Sequence, residues 1–422
     1  MYQIENTRPL LEGGRRGLRR PRWPRVGRNV FLLGLTSLFT DISSEMVATI
    51  LPLYLLYSLG LSPLQFGVVD GLQNGAAAVV RLAGGLLGDR SRRHKEVAAV
   101  GYGVSAVSRI ALVAVGSAWT AITAVVFLDR AGKGLRTAPR DALISLSVDR
   151  ERLATAFSVH RALDTTGAML GPLLAFALLA LAPGSYDAIF VISFCFALVG
   201  FAILVLFVQN RTAAPGEEPS VEHVSLRAAT ALLRDRRLLT LVVIAGGFGL
   251  VTISDGFLYL GLQRRLDLDP RSLPLLFVGT ALAYMILAVP TGWLADRVGR
   301  GRVFVGGYVV LLVTYALLLL PTFGTAGIAL YLLLFGAYYA ATDGVLMALA
   351  SVVIPPELRG SGLALVVTAT SIARLLASIV FGAIWTVWGM QAAIAVFAVG
   401  LLLALPLAVV ALHRVRENPA HA

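Results

Sequence analysis

Residues 85–93 read GLLGDRSRR, and residues 292–300 read GWLADRVGR. Both spell Gly-x-Leu-small-Asp-Arg and reach an arginine at the ninth position, Arg93 and Arg300. The copies stand 207 residues apart, and each follows the second apolar run of its half. A motif repeated at matched places along a chain is the mark of a duplicated unit.

Working outward from the first copy, apolar runs occupy about 29–58, 65–88, 97–116, 119–146, 154–182 and 187–209. A polar stretch follows, and a second set runs at about 239–262, 272–295, 303–321, 325–351, 361–385 and 389–412. About 20 apolar residues suffice to cross a bilayer as a helix. In lipid the backbone must satisfy its own hydrogen bonds, which a helix does within one segment. The expected fold is therefore an all-α membrane protein with twelve transmembrane helices in two pseudo-symmetric six-helix bundles. The expected division is a basic tail 1–28, an N-terminal bundle 29–209, a central linker 210–237, a C-terminal bundle 238–412 and a tail 413–422.

Composition agrees with a bilayer setting. Hydrophobic residues make up 57% and charged residues 14%, against about 25% charged in soluble domains. The single cysteine, Cys195, lies in the apolar run VISFCFALVG, so no disulfide framework exists. The formal charge is +12, almost all from arginine, since the only lysines are Lys95 and Lys133. This charge gathers in tails and loops, where topology accounts for it, and does not indicate a nucleic-acid partner. The first 28 residues hold eight arginines; they read as an orientation signal or as attraction to anionic lipid. Arginine and lysine collect in the N-terminal arm, Arg90 to Lys95, the centre, Arg297 to Arg302 and the C-terminus. The positive-inside rule places these segments, and both termini, in the cytoplasm of a cell with the chain in its inner membrane. One opposite loop departs from this pattern: Arg264, Arg265 and Arg271 accompany Asp267 and Asp269. It reads either as an external gate or as a solvated loop.

With the paired loop motif in view, the chain resembles the major facilitator superfamily, whose best-known signature is this loop. The resemblance covers residues 29–412. It implies a gating latch made of Gly85, Asp89, Arg90 and Arg93, with Gly292, Asp296 and Arg297 as the second copy. The bland reading is that these charges only stop translocation of the loop. Arg130-Ala-Gly-Lys133-Gly134 resembles the family's Arg-x-x-Gln-Gly element, with lysine in place of glutamine. Gly167, Gly171 and Pro172 resemble the Gly-Pro element of exporters that exchange substrate for protons, which implies a bending point in the fifth helix. Leu174 and Ala175 stand where that pattern prefers glycine.

Charge inside the spans points to the chemistry. Asp41, Glu45, Asp129, Arg130, Lys133, Arg136, Arg140, Asp141, Arg161 and Asp164 fall in apolar runs of the first half. Left bare, they would cost on the order of 25–35 kcal/mol on insertion scales. The second half has Asp255, Asp343 and Arg374. Asp41 and Glu45 share one helix face and, with Lys133, form the expected proton-coupling group. A permanent ion pairing among them is the competing reading. Arg130, Arg136, Arg161, Asp164 and Asp255 are expected around a substrate cavity; the depths of Arg130 and Asp164 allow a buried pair, which reads as structural sooner than as substrate-binding. Tyr338, Tyr339 and Asp343 are placed on its far wall, where rings beside an acid suit an amphipathic or cationic ligand; packing alone is the alternative.

The sequence carries no metal-ligand spacing, phosphate-binding glycine loop or nucleophile constellation, so no metal, no cofactor and no enzymatic activity are expected. The expected function is secondary active transport: proton-coupled efflux of small amphipathic molecules by alternating access. The alternative is an importer or exporter of anionic metabolites using the basic residues of the fourth helix. A membrane-embedded enzyme or sensor is the reading from a different class. The expected partners are the lipid bilayer, a small-molecule substrate and protons, with the protein acting as a monomer.

Overall fold

The structure is a computed structural model that describes residues 27–91, 93–149, 152–210, 233–320, 324–354 and 358–417. The basic arm and most of the central linker therefore lie outside the described residues. Helices of the first half are α1 (Arg28–Leu53), α2 (Pro63–Ser91), α3 (His94–Ala114), α4 (Trp119–Ser145), α5 (Leu153–Leu181) and α6 (Tyr186–Phe207). Those of the second half are α7 (Arg236–Leu250), α8 (Asp255–Leu266), α9 (Leu273–Val298), α10 (Arg300–Leu319), α11 (Thr325–Val353), α12 (Arg359–Trp388) and α13 (Met390–Glu417). The two halves pair their helices in the same way. In the first, α1 packs on α5 and α6, α2 on α4, and α3 on α4 and α6. In the second, α7 packs on α12 and α13, α9 on α11, and α10 on α11 and α13. The fold is thus two pseudo-symmetric six-span bundles in a multi-pass membrane protein.

Ten of the spans are apolar enough to qualify by composition among the described residues; α2 and α4 are not. α4 falls short because it carries Asp129, Arg130, Lys133, Arg136, Arg140 and Asp141. Large apolar side chains such as Leu206, Val243, Ile286, Val387 and Leu407 are exposed and form the lipid-facing surface.

Two spans depart from a continuous helix. α1 contains Pro52 and finishes in a π turn, Tyr54–Ser58. Proline removes a donor and crowds the preceding turn, which a π turn accommodates. The run 239–262, expected as one helix, is broken between Leu250 and Asp255. Tyr315 of α10 satisfies the freed backbone: its hydroxyl accepts from Ile253 N at 2.8 Å and donates to Val251 O at 3.2 Å. Irregular backbone at membrane depth is tolerated where protein or a cavity covers it, and both cover this one.

Gly167 and Gly171 allow α5 to lie against α1. A Cβ on Gly167 would stand 2.4 Å from the Leu38 carbonyl oxygen, and one on Gly171 2.8 Å from that of Ile42. The helix runs unbroken through Pro172. Gly171→Val should therefore lower the thermal stability of purified protein by about 1–3 kcal/mol or more. Gly246→Ala, where no atom would come within 4 Å, should be neutral or slightly stabilising. Equal melting of the two variants would mean that α1 and α5 are not held at this distance.

Candidate functional site

The halves meet chiefly where α2 packs on α12 and α5 on α9. Among the described residues, the hydrogen bonds and ring contacts between the halves gather at the end away from the termini. Tyr57 donates to Gln263 at 2.6 Å, Leu64 N donates to Thr386 at 3.0 Å, and the rings of Phe66 and Phe257 stand 4.7 Å apart. The molecule is closed at this distal end. Arg264 forms part of the closure. Its guanidinium lies over Tyr57 at 5.5 Å and over Trp385 at 5.2 Å, and its Nε donates to the Tyr57 hydroxyl at 3.3 Å. Arg265 donates instead to the carbonyl groups of Leu319 and Leu320 at the end of α10. Arg271 pairs with Asp269 at 3.5 Å. Among the described residues, Arg264 is the one of the three arginines in this loop whose side chain bonds to the first half, while the Pro270–Ser272 turn packs on α5.

Beneath the closure lie two adjoining chambers. The first, about 190 Å³, is polar, with Glu45, Asp70, Gln73, Asn74, Arg130, Asp255 and Arg374 on its wall. The second, about 320 Å³, is mainly apolar, with Met169, Pro172, Phe277, Tyr284, Tyr339 and Asp343 on its wall. Glu45, Asp255, Phe277 and Tyr339 line both. The α7–α8 break supplies Thr252 to Asp255 to the polar chamber, so the N-terminus of α8 faces it. Tyr339 donates to the Asp255 carboxylate at 2.5 Å. Glu45 has no ion-pair partner among the described residues.

Several expected site residues stand outside these chambers. Asp129, buried in α4, is held by Arg109 of α3 at 2.7 Å and by its neighbour Arg130 at 3.3 Å. Arg109 also donates to Ser44 of α1 at 2.9 Å. Arg130 therefore pairs with Asp129, not with Asp164, while its side chain still reaches the polar chamber. Asp164 pairs with Arg161 at 3.3 Å and lies 3.9 Å from Arg140. Equal depth along two helices does not make two side chains meet when each has a closer partner on its own helix. Asp41 of α1, Lys133 and Arg136 of α4 and Asp164 of α5 stand near one another. Arg136 is buried with its guanidinium 4.4 Å over the Tyr102 ring. The stripe Lys133, Arg136 and Arg140 thus divides between α3 on one side and α1 and α5 on the other. Tyr338 is fully buried, ring to ring with Phe335 and Tyr308, and accepts from Arg374 at 3.3 Å.

At the opposite end, Asp296 pairs with Arg300 at 3.1 Å, and Arg300 donates to Ala348 O at 3.2 Å. The second loop motif therefore ties α9 and α10 to α11 within its own half. Arg93 and Arg297 are exposed. The side-chain surroundings of Gly85, Asp89 and Arg90 lie outside the described residues.

Wall residues that escaped the sequence reading as site residues include Asp70, Asn74 and Arg374. The signal was available for two of them. Asp70 is an acid inside the run 65–88 and is followed by Gln73 and Asn74 on one helix; Arg374 was visible as an intramembrane charge. Arg109 was missed in the same way, an arginine inside the run 97–116.

Comparison with known proteins fits this geometry. The family model described as Major Facilitator Superfamily matches residues 33–269 and 252–422. An uncharacterized MFS-type transporter of Methanocaldococcus jannaschii is 30% identical over 374 residues, covering 86% of this chain and 89% of that protein. An uncharacterized protein of Mycobacterium tuberculosis is 29% identical over 304 residues, covering 71% and 70%. Among solved structures, the nucleoside transporter NupG superposes with a TM-score of 0.78 at 16% identity, covering 90% of this chain and 99% of that one. A peptide transporter POT in complex with sulfate gives 0.75 at 16% identity, covering 92% and 95%.

Two expected outcomes follow from the pairs and the closure. Arg109→Met leaves Asp129 without its closest cation and should destabilise the folded protein by about 3–5 kcal/mol, read as loss of thermal stability; Arg109→Lys should recover part of it. Arg264→Ala should unseat the distal closure. With Cys195 replaced by serine and a cysteine placed at Ala48, on the wall of the polar chamber, a membrane-impermeant maleimide applied from the distal side should react several-fold faster in the Arg264→Ala background. An unchanged rate would leave Arg264 as a solvated loop residue.

Proposed function

The chain belongs to the major facilitator superfamily, and we propose that it is a proton-coupled secondary transporter that exports small amphipathic molecules bearing a basic group. One observation carries this reading. Glu45 of the first half and Asp255 of the second stand in the wall shared by the polar and apolar chambers. A ligand with an apolar body in the larger chamber would place a cationic group between these two acids, beside the rings of Phe277 and Tyr339. An anionic substrate held by Arg130, Lys133 and Arg136 is less well supported, because Arg136 is committed to Tyr102 and only Arg130 of the three lines a chamber.

Coupling is assigned to the neighbouring group of Asp41, Asp164 and Lys133. A proton shared by Asp41 and Asp164 changes the potential felt by Lys133, and Glu45 lies one helical turn from Asp41 on the same face. Proton and cationic substrate then oppose each other through one electrostatic field, which is what exchange requires. With the termini taken as cytoplasmic, the present structure is the form closed to the outside. In the opposite form the loop motifs, Asp89, Arg90 and Arg93 with Asp296 and Arg297, would act as the latch at the cytoplasmic end.

The test is transport by purified protein in liposomes with an imposed pH gradient, using aryl-alkyl amines as substrates and aryl carboxylates as controls. The amines should accumulate against their gradient and the carboxylates should not. Glu45→Gln and Asp255→Asn should each weaken amine uptake at least tenfold. Asp41→Asn should abolish proton-driven accumulation while leaving gradient-free exchange intact. Accumulation of the carboxylates in place of the amines would overturn the substrate assignment, and full proton-driven accumulation in Asp41→Asn would overturn the coupling assignment.

A further inference from the structure

α2 and α12 form the closest contact between the halves, and glycines make it possible. A Cβ on Gly67 would stand 2.5 Å from the Ser378 carbonyl oxygen, one on Gly71 2.7 Å from that of Leu375, and one on Gly382 2.4 Å from that of Pro63. Two helices meeting backbone to backbone in lipid gain van der Waals contact along their whole seam. For the cavity to open distally, this seam has to part. Asp70 sits in it. Its residue is 6% exposed, its carboxylate accepts from Ser378 across the seam, and Asn74 on its own helix donates to it at 3.3 Å. Yet Asp70 also lines the polar chamber. Among the described residues it is the only charged group bonded to the other half across this seam and open to the cavity.

We propose that Asp70 links the charge state of the polar chamber to closure of the distal seam: a positive charge arriving at its carboxylate, as a proton or as the cationic group of a ligand, weakens the bond to Ser378 and frees α2 from α12. The physical reason is the strength of a charge-assisted bond, roughly twice that of a neutral one. A neutral carboxyl, or one drawn toward a cation in the chamber, holds Ser378 less firmly. The groups facing Asp70 across the chamber make it responsive to small changes: Glu45 from α1, Arg130 from α4, Asp255 from α8, Tyr339 from α11 and Arg374 from α12. This assignment rests on the chamber being the translocation site, but not on the direction of transport.

The experiment uses the full chain in lipid nanodiscs, with Cys195 replaced by serine and spin labels at Ser117 and Trp388 near the distal ends of the two halves. Distance distributions by double electron–electron resonance report the fraction open at that end. One arm lowers the pH without ligand; the other adds benzylamine at constant pH, with benzyl alcohol as control. An increase in the open fraction in the first arm identifies the proton, and an increase in the second identifies an organic cation; either supports the proposal. Asp70→Asn, a neutral acceptor, should raise the open-to-closed ratio about tenfold and make it insensitive to both arms. Asp70→Glu should restore the response. Ser378→Ala, a small change should Asp70→Asn fold poorly, should raise the open fraction in the same way. The proposal is overturned if neither arm shifts the wild type, if Asp70→Asn responds as wild type does, or if Ser378→Ala leaves the distances unchanged. Failure of amines to be transported in liposomes would instead count against the proposed substrate and leave the distance result standing.

Discussion

An ionised side chain in the hydrocarbon layer costs several kcal/mol unless it is paired or wetted, and the placement of such groups organises this molecule. The first bundle solves the problem by pairing. Asp129 is held between Arg109 and Arg130, which ties α3 to α4, while the Arg109 bond to Ser44 brings in α1. Asp164 gathers Arg161 and Arg140, which ties α5 to α4, and Arg140 donates to Ser37 of α1. Glu45, Asp70, Asp255 and Arg374 face the polar chamber, and Arg130 reaches it while paired with Asp129. The cavity is thus the place where these charges can meet water or a ligand.

The same constraint explains why the closure and the cavity are close neighbours. A bilayer gives helices no hydrophobic reason to associate, so they hold together by close packing and by polar bonds. The α2–α12 seam uses both, with glycines for approach and the Asp70–Ser378 bond for polarity. Farther out, Arg264 lies over two rings, one from each half, and adds a cation–π contact to the tyrosine–glutamine bond beside it. The break between α7 and α8 places irregular backbone against the chamber, where Tyr315 and the cavity itself cover the exposed groups. Transport by rocking of two bodies needs contacts of this kind: few, localised at one end, and strong enough to hold one state without locking it.

The spans, the duplication and the intramembrane charges were legible in the sequence, because each depends on local quantities. An apolar run of about 20 residues is a membrane helix wherever it lies. A repeated loop motif marks a repeated unit whatever its contacts are. Glu45, Arg130, Asp255, Tyr339 and Asp343 stand on the chamber walls. What periodicity could not supply was the partner of each charge. Arg130 and Asp164 share a depth but not a face, and Arg136 turns to Tyr102 because α3 packs on α4 there. Asp70 and Ser378 are 308 positions apart, and nothing local to either joins them. The sequence by itself therefore determined that twelve helices in two like halves cross a membrane, since hydrophobic length and backbone hydrogen bonding are properties of each segment alone. Only the tertiary structure decided which charges are spent on pairing and which are left to line a cavity, because that depends on which helix faces come within about 3–4 Å of one another, the range over which ion pairs and hydrogen bonds form.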